Sequence, residues 1–164
     1  MQNLLAGASR VAPLLIASGA SIAVAESSTG GLISAALLSA PGASAYFRGG
    51  DVIYTRDART AFGITAEMMA GMRSASPPYS KVLAAHARMR LGTTWGLAET
   101  GASGPSGNSY GDAAGHTCLA VDGPMPMSRV LATGSADRIA NMLIFAEAAL
   151  ALLEEALLAA AHHG

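Results

Sequence analysis

Apolar positions recur at helical spacing through residues 4–18, LLAGASRVAPLLIAS, and Gly19 stops the run. A short apolar strand follows at residues 21–25, SIAVA, and breaks at a turn of hydroxyls and glycines. A second, alanine-rich helix is predicted over residues 30–39, ended by the turn pair Pro41 and Gly42. Residues 51–55, DVIYT, read as a strand, and residues 56–62 as a helical turn closed by Gly63. Thr65 is placed to cap a helix reaching residue 72, with Glu67 in its first turn. Pro77 and Pro78 break the chain ahead of a longer helix over residues 79–91. The strand TWGLA at 94–98 runs into a glycine-rich loop over residues 100–115. Residues 116–121 and 128–133 predict a hairpin turned at Asp122, Gly123 and Pro124, and a last helix runs from 135 or 136 to about 160. Strands alternating with helices, then a hairpin, predict a layered α/β domain with a mixed sheet. With no linker and no repeat, residues 1–164 are expected to form one domain.

The chemistry concentrates where strand gives way to helix. Glu26, Ser27, Ser28 and Thr29 sit at such a junction, followed by Gly30 and Gly31. Free backbone N–H groups and the positive end of a helix dipole meet there, a place suited to a phosphate or an oxyanion. The same residues also suit a plain capping turn, since Ser and Thr are ordinary N-caps and glycines ease close packing of helix on sheet. The segment LAETGASG at 97–104 echoes VAESSTGG at 24–31, an apolar strand ending in Glu and then hydroxyls and glycines. Ligands bind α/β sheets where loops leave the carboxyl ends of strands. If these two strands are adjacent and parallel, Glu26, Ser27, Ser28, Thr29, Glu99, Thr100 and Ser103 face one crevice.

Composition narrows the partners. Of the residues, 51% are hydrophobic but only 5% aromatic, so the core must be built from Ala, Leu, Ile, Val and Met. Charged residues reach only 13%, low enough to predict a homo-oligomer that hides part of its surface. A net charge of −1 and the lack of a basic stripe argue against general nucleic-acid binding. The single cysteine, Cys118, excludes an intrachain disulfide and a multi-cysteine metal site, and its apolar run HTCLAV fits a buried inert thiol. No metal-ligand spacing is present, and neither metal nor cofactor is expected. The first residues lack the basic start of a signal peptide, and Glu147, Glu154 and Glu155 spoil the longest apolar tract as a membrane span. A soluble cytoplasmic protein is the expectation.

With these residues assembled, the chain resembles the CinA C-terminal domain family, which includes bacterial nicotinamide-nucleotide amidohydrolases. The matching blocks are AESSTGGL at 25–32, SAPGASAYFRGG at 39–50, IYTRDAR at 53–59 with FGI at 62–64, and TGASGPSG at 100–107. A weaker match continues through GHTCLAV at 115–121 and GSADR at 134–138, so nearly the whole chain is covered. The resemblance implies a three-layer α/β/α sandwich, often oligomeric. The implied reaction is hydrolysis of nicotinamide mononucleotide to nicotinate mononucleotide and ammonia. Ser27 matches the family's nucleophile, and Arg59 stands where the family has an assisting lysine.

That departure bears on mechanism. A neutral lysine can take a proton from serine, whereas arginine, with a pKa above about 12, cannot. Arg59 is therefore expected to pair with Glu99, to face a ligand phosphate, or to lie in solvent at the end of its short helix. His116 is the one histidine placed near the crevice, and an imidazole within reach of Ser27 would supply a base. Ser28 replaces the family's usual Cys, and Pro77, Pro78 and Tyr79 fill a segment where the family reads G-A-V-S. The candidate catalytic residues are thus Ser27, Arg59 and His116. The candidate binding residues are Glu26, Ser28, Thr29, Gly30, Gly31, Tyr54, Glu99, Thr100, Gly101, Ser103 and Gly104, facing a small nucleotide. Two readings stand: an amidohydrolase of this type, or a non-catalytic paralogue that binds a nucleotide or serves in an assembly.

Overall fold

In the computed structural model, which describes residues 1–163, eleven elements follow in order. They are α1 (Gln2–Ala17), β1 (Ile22–Glu26), α2 (Leu32–Ser39), a single 3-10 turn (Ala43–Ala45), β2 (Phe47–Val52) and α3 (Arg56–Phe62). The second half adds α4 (Pro77–Leu91), β3 (Trp95–Ala102), β4 (His116–Asp122), β5 (Met127–Ala132) and α5 (Arg138–His163). The five strands form one mixed sheet in the order β2-β1-β3-β4-β5. β1 runs parallel to both β2 and β3, while β3, β4 and β5 pair antiparallel.

The alternation of side chains along the central strands sorts residues by size. Ile22 and Val24 of β1, Trp95 and Leu97 of β3, and Leu119 and Val121 of β4 point to one face. There they meet Leu4, Val11 and Leu15 of α1, Leu37 of α2, and Leu150 and Leu153 of α5. Ala23, Ala25, Ala98 and Ala120 point to the other face, against Leu83, Ala84 and Ala87 of α4. Large side chains therefore meet three helices, and small ones let α4 approach the sheet closely. At Gly96 the approach is closest: a Cβ there would lie 2.0 Å from the carbonyl oxygen of Ala84. Burial of each large aliphatic side chain stabilises the fold by roughly 1.5–3 kcal/mol.

The three-layer α/β/α arrangement with a mixed sheet is the one expected, and most element boundaries fall within a few residues of the sequence reading. Two differ. The edge strand β2 covers Phe47–Val52, not residues 51–55. Its FRGG start has weak strand propensity, but glycine is required there: a Cβ at Gly49 would lie 2.8 Å from Leu91 Cδ1, and one at Gly50 would strike Ser34 Oγ. Residues 65–72 form successive tight turns and not a helix. Thr65 Oγ1 does accept the N–H of Met68 at 3.2 Å, but Gly71, at φ +74°, ends the run before it can propagate.

Candidate active-site cleft

β1 and β3 lie side by side and parallel, with Ala25 opposite Ala98. This register sets the Glu26–Gly31 turn directly beside Glu99 and Thr100, the juxtaposition on which a shared crevice depended. The residues divide sharply in their roles.

Glu26 and Glu99 are both fully buried. The Glu26 carboxylate accepts the backbone N–H groups of Gly31, Ile33 and Ser34 at 3.0, 3.0 and 2.8 Å, and the Ser34 hydroxyl at 2.7 Å. It thereby takes up the unpaired donors at the start of α2 and answers the helix dipole. Glu99 accepts the N–H groups of Ser27 and Thr29 at 3.2 and 3.0 Å, the Ser28 hydroxyl at 2.5 Å and the Thr117 hydroxyl at 2.8 Å. Thr29 Oγ1 lies between the two acids, 2.8 Å from Glu26 and 3.1 Å from Glu99, with one proton to give. The expected anion site at this helix start is occupied by the protein's own carboxylates. Glu26, Glu99 and Thr29 hold the turn, and none of them lines the cleft. Gly30 and Gly31 serve the turn through their backbone, at φ +63° and +100°.

Ser27 differs from its neighbours. Its backbone N–H is bound to Glu99, but among the described residues its hydroxyl has no hydrogen-bond partner, and it lines a cavity of about 400 Å³. Arg56 and Arg59 of α3 line the same cavity, with Tyr54 before them and Tyr79 at the start of α4. Thr100 and Gly101 of β3 and Asn108 and Tyr110 of the following loop complete it. A smaller cavity of about 200 Å³ adjoins it, sharing Tyr54, Gly101 and Asn108 and adding Ser28, Ser103, Gly104 and Arg138. Neither lining contains a carboxylate, a lysine or a histidine. A cavity of about 500 Å³ at the amino ends of the strands, walled by Leu14, Trp95 and Leu157, carries no such chemistry.

Arg59 is half-buried and does not pair with Glu99, whose oxygens are already saturated by the turn. Its Nη1 reaches Ser74 Oγ at 3.4 Å. Burial pushes the Tyr79 phenol above its ordinary pKa, against the opposing pull of Arg59. Arg138 donates to the Gly104 carbonyl at 2.5 Å and to the Tyr54 hydroxyl at 3.2 Å. The fully buried Asn141 ties this wall to α5, donating to the carbonyls of Ser103 and Ser135 at 2.8 Å each.

His116 is not brought to Ser27. Its Nε2 lies 2.9 Å from the Ala75 carbonyl, an acceptor only, so this nitrogen carries a proton and donates it there. Asp112 lies 3.7 Å from the same nitrogen, and its carboxyl is held below its ordinary pKa by hydrogen bonding to Arg73. The imidazole props residues 73–76 against the loop before β4, outside both cavities. Cys118 is fully buried beside it, and desolvation pushes its thiol up to about 11, as an inert thiol requires. The sequence reading missed Arg56, Tyr79, Asn108, Tyr110 and Arg138 as cleft residues. Arg56 and Arg138 had a signal in the IYTRDAR and GSADR blocks and Tyr79 in the Pro77–Tyr79 departure, while Asn108 and Tyr110 reach the cleft only through tertiary folding.

A serine-bearing turn and a cationic cleft lie at the carboxyl ends of the parallel strands, where α/β folds place their ligand sites. The CinA C-terminal domain profile matches residues 5–157, and the chain belongs to that family. A CinA-like protein of Gloeobacter violaceus is 42% identical over 118 residues, covering 71% of this chain and 28% of that protein. One of Myxococcus xanthus is 38% identical over 146 residues, covering 87% of this chain and 34% of that protein. The chain thus spans about a third or less of the length of these relatives. Among solved structures, a competence-damaged protein (CinA) superfamily protein from Klebsiella pneumoniae superposes with a TM-score of 0.88 at 26% identity, covering 95% of this chain and 98% of that one. The competence/damage-inducible protein CihA from Agrobacterium tumefaciens gives 0.85 at 29% identity, covering 97% and 96%. No helix among the described residues is long and apolar enough to cross a membrane.

Proposed function

We propose that this chain is an amidohydrolase acting on a nicotinamide-type nucleotide, with Ser27 as nucleophile. The observation that carries the reading is the division of labour in the turn. The hydroxyls of Ser28 and Thr29 are committed to buried glutamates, and only that of Ser27 is left without a partner, in the cleft wall. Ser27 Oγ attacks the carboxamide carbon, the C–N bond breaks, and ammonia leaves a nicotinoyl ester on Ser27 that water then hydrolyses. The Ser27 proton ends on the departing nitrogen. Arg59 takes no proton at any step, and its fixed charge stabilises the oxyanion that forms on attack. Arg138 and the Ser103–Gly104 segment are suited to the nucleotide phosphate.

The test follows ammonia release from nicotinamide mononucleotide. Ser27→Ala is expected to lose at least about 100-fold in turnover while its melting temperature stays within about 2 °C of the parent. Unchanged release by the variant would remove the mechanism. A second reading, a binding paralogue without turnover, is favoured by the lack of any lysine, histidine or carboxylate in the cavity lining. Under that reading the nucleotide raises the melting temperature, because it binds only the native state, yet no ammonia appears. Location in the cytoplasm, assembly into homo-oligomers and a single-domain chain belong to the same proposal and await fractionation, light scattering and proteolysis.

A further inference from the structure

The charge in the cleft bears on which ligand the site holds as well as on the reaction. Arg10, Arg73, Arg88, Arg90 and Arg129 each sit on a carboxylate. Four arginines pair with no acid among the described residues: Arg48, which donates to the Ser44 and Ala45 carbonyls outside the cleft, and Arg56, Arg59 and Arg138, which line the adjoining cavities. Arg138 belongs to the smaller cavity, whereas Arg56 and Arg59 belong to the larger one with Ser27. Tyr54 is a shared wall, with the Arg138 guanidinium 5.9 Å from its ring centroid. No carboxylate lines either cavity to balance these charges.

Unbalanced guanidinium groups in two adjoining cavities suit a ligand that carries an anionic group for each. A nucleotide phosphate beside Arg138 satisfies one cavity only. In the larger cavity Arg59 reaches Ser74 Oγ at 3.4 Å and interacts with the Tyr79 phenol, contacts that leave some of its five N–H donors for a ligand. A planar fork beside an attacking serine matches a planar carboxylate in two-point contact, which a neutral carboxamide cannot reproduce.

Resting on the proposed reading of the site, we infer that the cleft selects a phosphorylated aromatic carboxylate over the corresponding carboxamide, with Arg59 as the selecting residue and Arg56 in support. The acid that amide hydrolysis produces is then held more tightly than the amide that enters. The acid therefore competes with the amide for the cleft.

Nicotinate mononucleotide and nicotinamide mononucleotide are suitable probes, because they differ only at this group. Calorimetric titration of Ser27→Ala keeps the amide intact during measurement. The acid is expected to bind at least about tenfold more tightly than the amide, a difference within reach of one charge-assisted contact. Adding Arg59→Gln should bring the two within about twofold, Arg59→Lys should restore part of the preference, and Arg138→Gln should weaken both ligands alike. A Ser27→Ala protein that binds the two equally, or a preference that survives Arg59→Gln, would overturn the inference. In either case ammonia release by the parent protein would still stand as support for the hydrolase reading. Failure of both ligands to bind would overturn the two together. Thermal unfolding of each variant separates a lost contact from a lost fold.

Discussion

Three neighbouring hydroxyls after β1 have different fates, and the difference is set by two glutamates. Thr29 and Ser28 point inward to Glu26 and Glu99, where each bond to a buried carboxylate contributes about 1.5–3 kcal/mol. Ser27 points into the cleft. Glu26→Gln would replace one acceptor oxygen by an amide N–H₂ facing the N–H groups that start α2. It is expected to destabilise the protein by about 2–3 kcal/mol in urea unfolding, with the loss present before any ligand is added. A cost below about 0.5 kcal/mol would contradict the structural role given to Glu26. At this scale the sequence was legible in part. The ESSTGG turn announced itself, and Ser27 was singled out. That Glu26 would fold back onto the donors at the start of α2 was not visible, nor that Glu99 would take the turn N–H groups of Ser27 and Thr29, which depends on a side chain reaching across from a neighbouring strand. Nor could the chain reveal that the carbonyl of Ala75, far from His116 in sequence, would accept the imidazole N–H.

Among the elements, the central strands could be read directly, because buried parallel strands are short continuous apolar runs. β2 could not. It pairs in register with β1, and its glycines lie under Ser34 and Leu91, so close approach and not strand propensity accounts for them. The 65–72 segment carried a capping threonine and a favourable composition, but a glycine with positive φ ended it after isolated turns. The closeness of α4 to β3 is a testable feature of the same kind. Gly96→Ala would drive a Cβ into the Ala84 carbonyl, backbone that cannot swing away as a side chain can. It is expected to cost about 1–3 kcal/mol, whereas an added methyl at Gly19, which meets nothing within 4 Å, removes no space and strains only the backbone at φ +61°. Equal chemical denaturation midpoints for Gly96→Ala and the parent would show that α4 stands further from the sheet. Because Thr100, Ala75 and Tyr79 lie on β3, before α4 and at its start, a displaced α4 would also widen the cleft.

For the molecule as a whole, the parallel pairing of β1 with β3 places two similar strand ends side by side, one supplying Ser27 and both supplying a buried acid. Around this rigid floor the long loop before β4 and the segment before α4 bring Asn108, Tyr110 and Tyr79 to the opening. Arginines enter from α3 and α5, so the cleft is cationic although the chain carries a net charge of −1. Under the proposed reading, Arg59, standing where the resemblance implies a lysine, brings a permanent charge and no proton acceptor to the cleft that Ser27 lines. The most direct measurement is capture of the covalent intermediate. Protein mixed with nicotinamide mononucleotide, quenched in acid during the first turnovers and digested for mass spectrometry, should carry a nicotinoyl-nucleotide ester on the peptide containing Ser27. The adduct should be absent from Ser27→Ala. Ammonia release without an adduct, or an adduct on any other residue, would contradict the assignment of Ser27 as nucleophile.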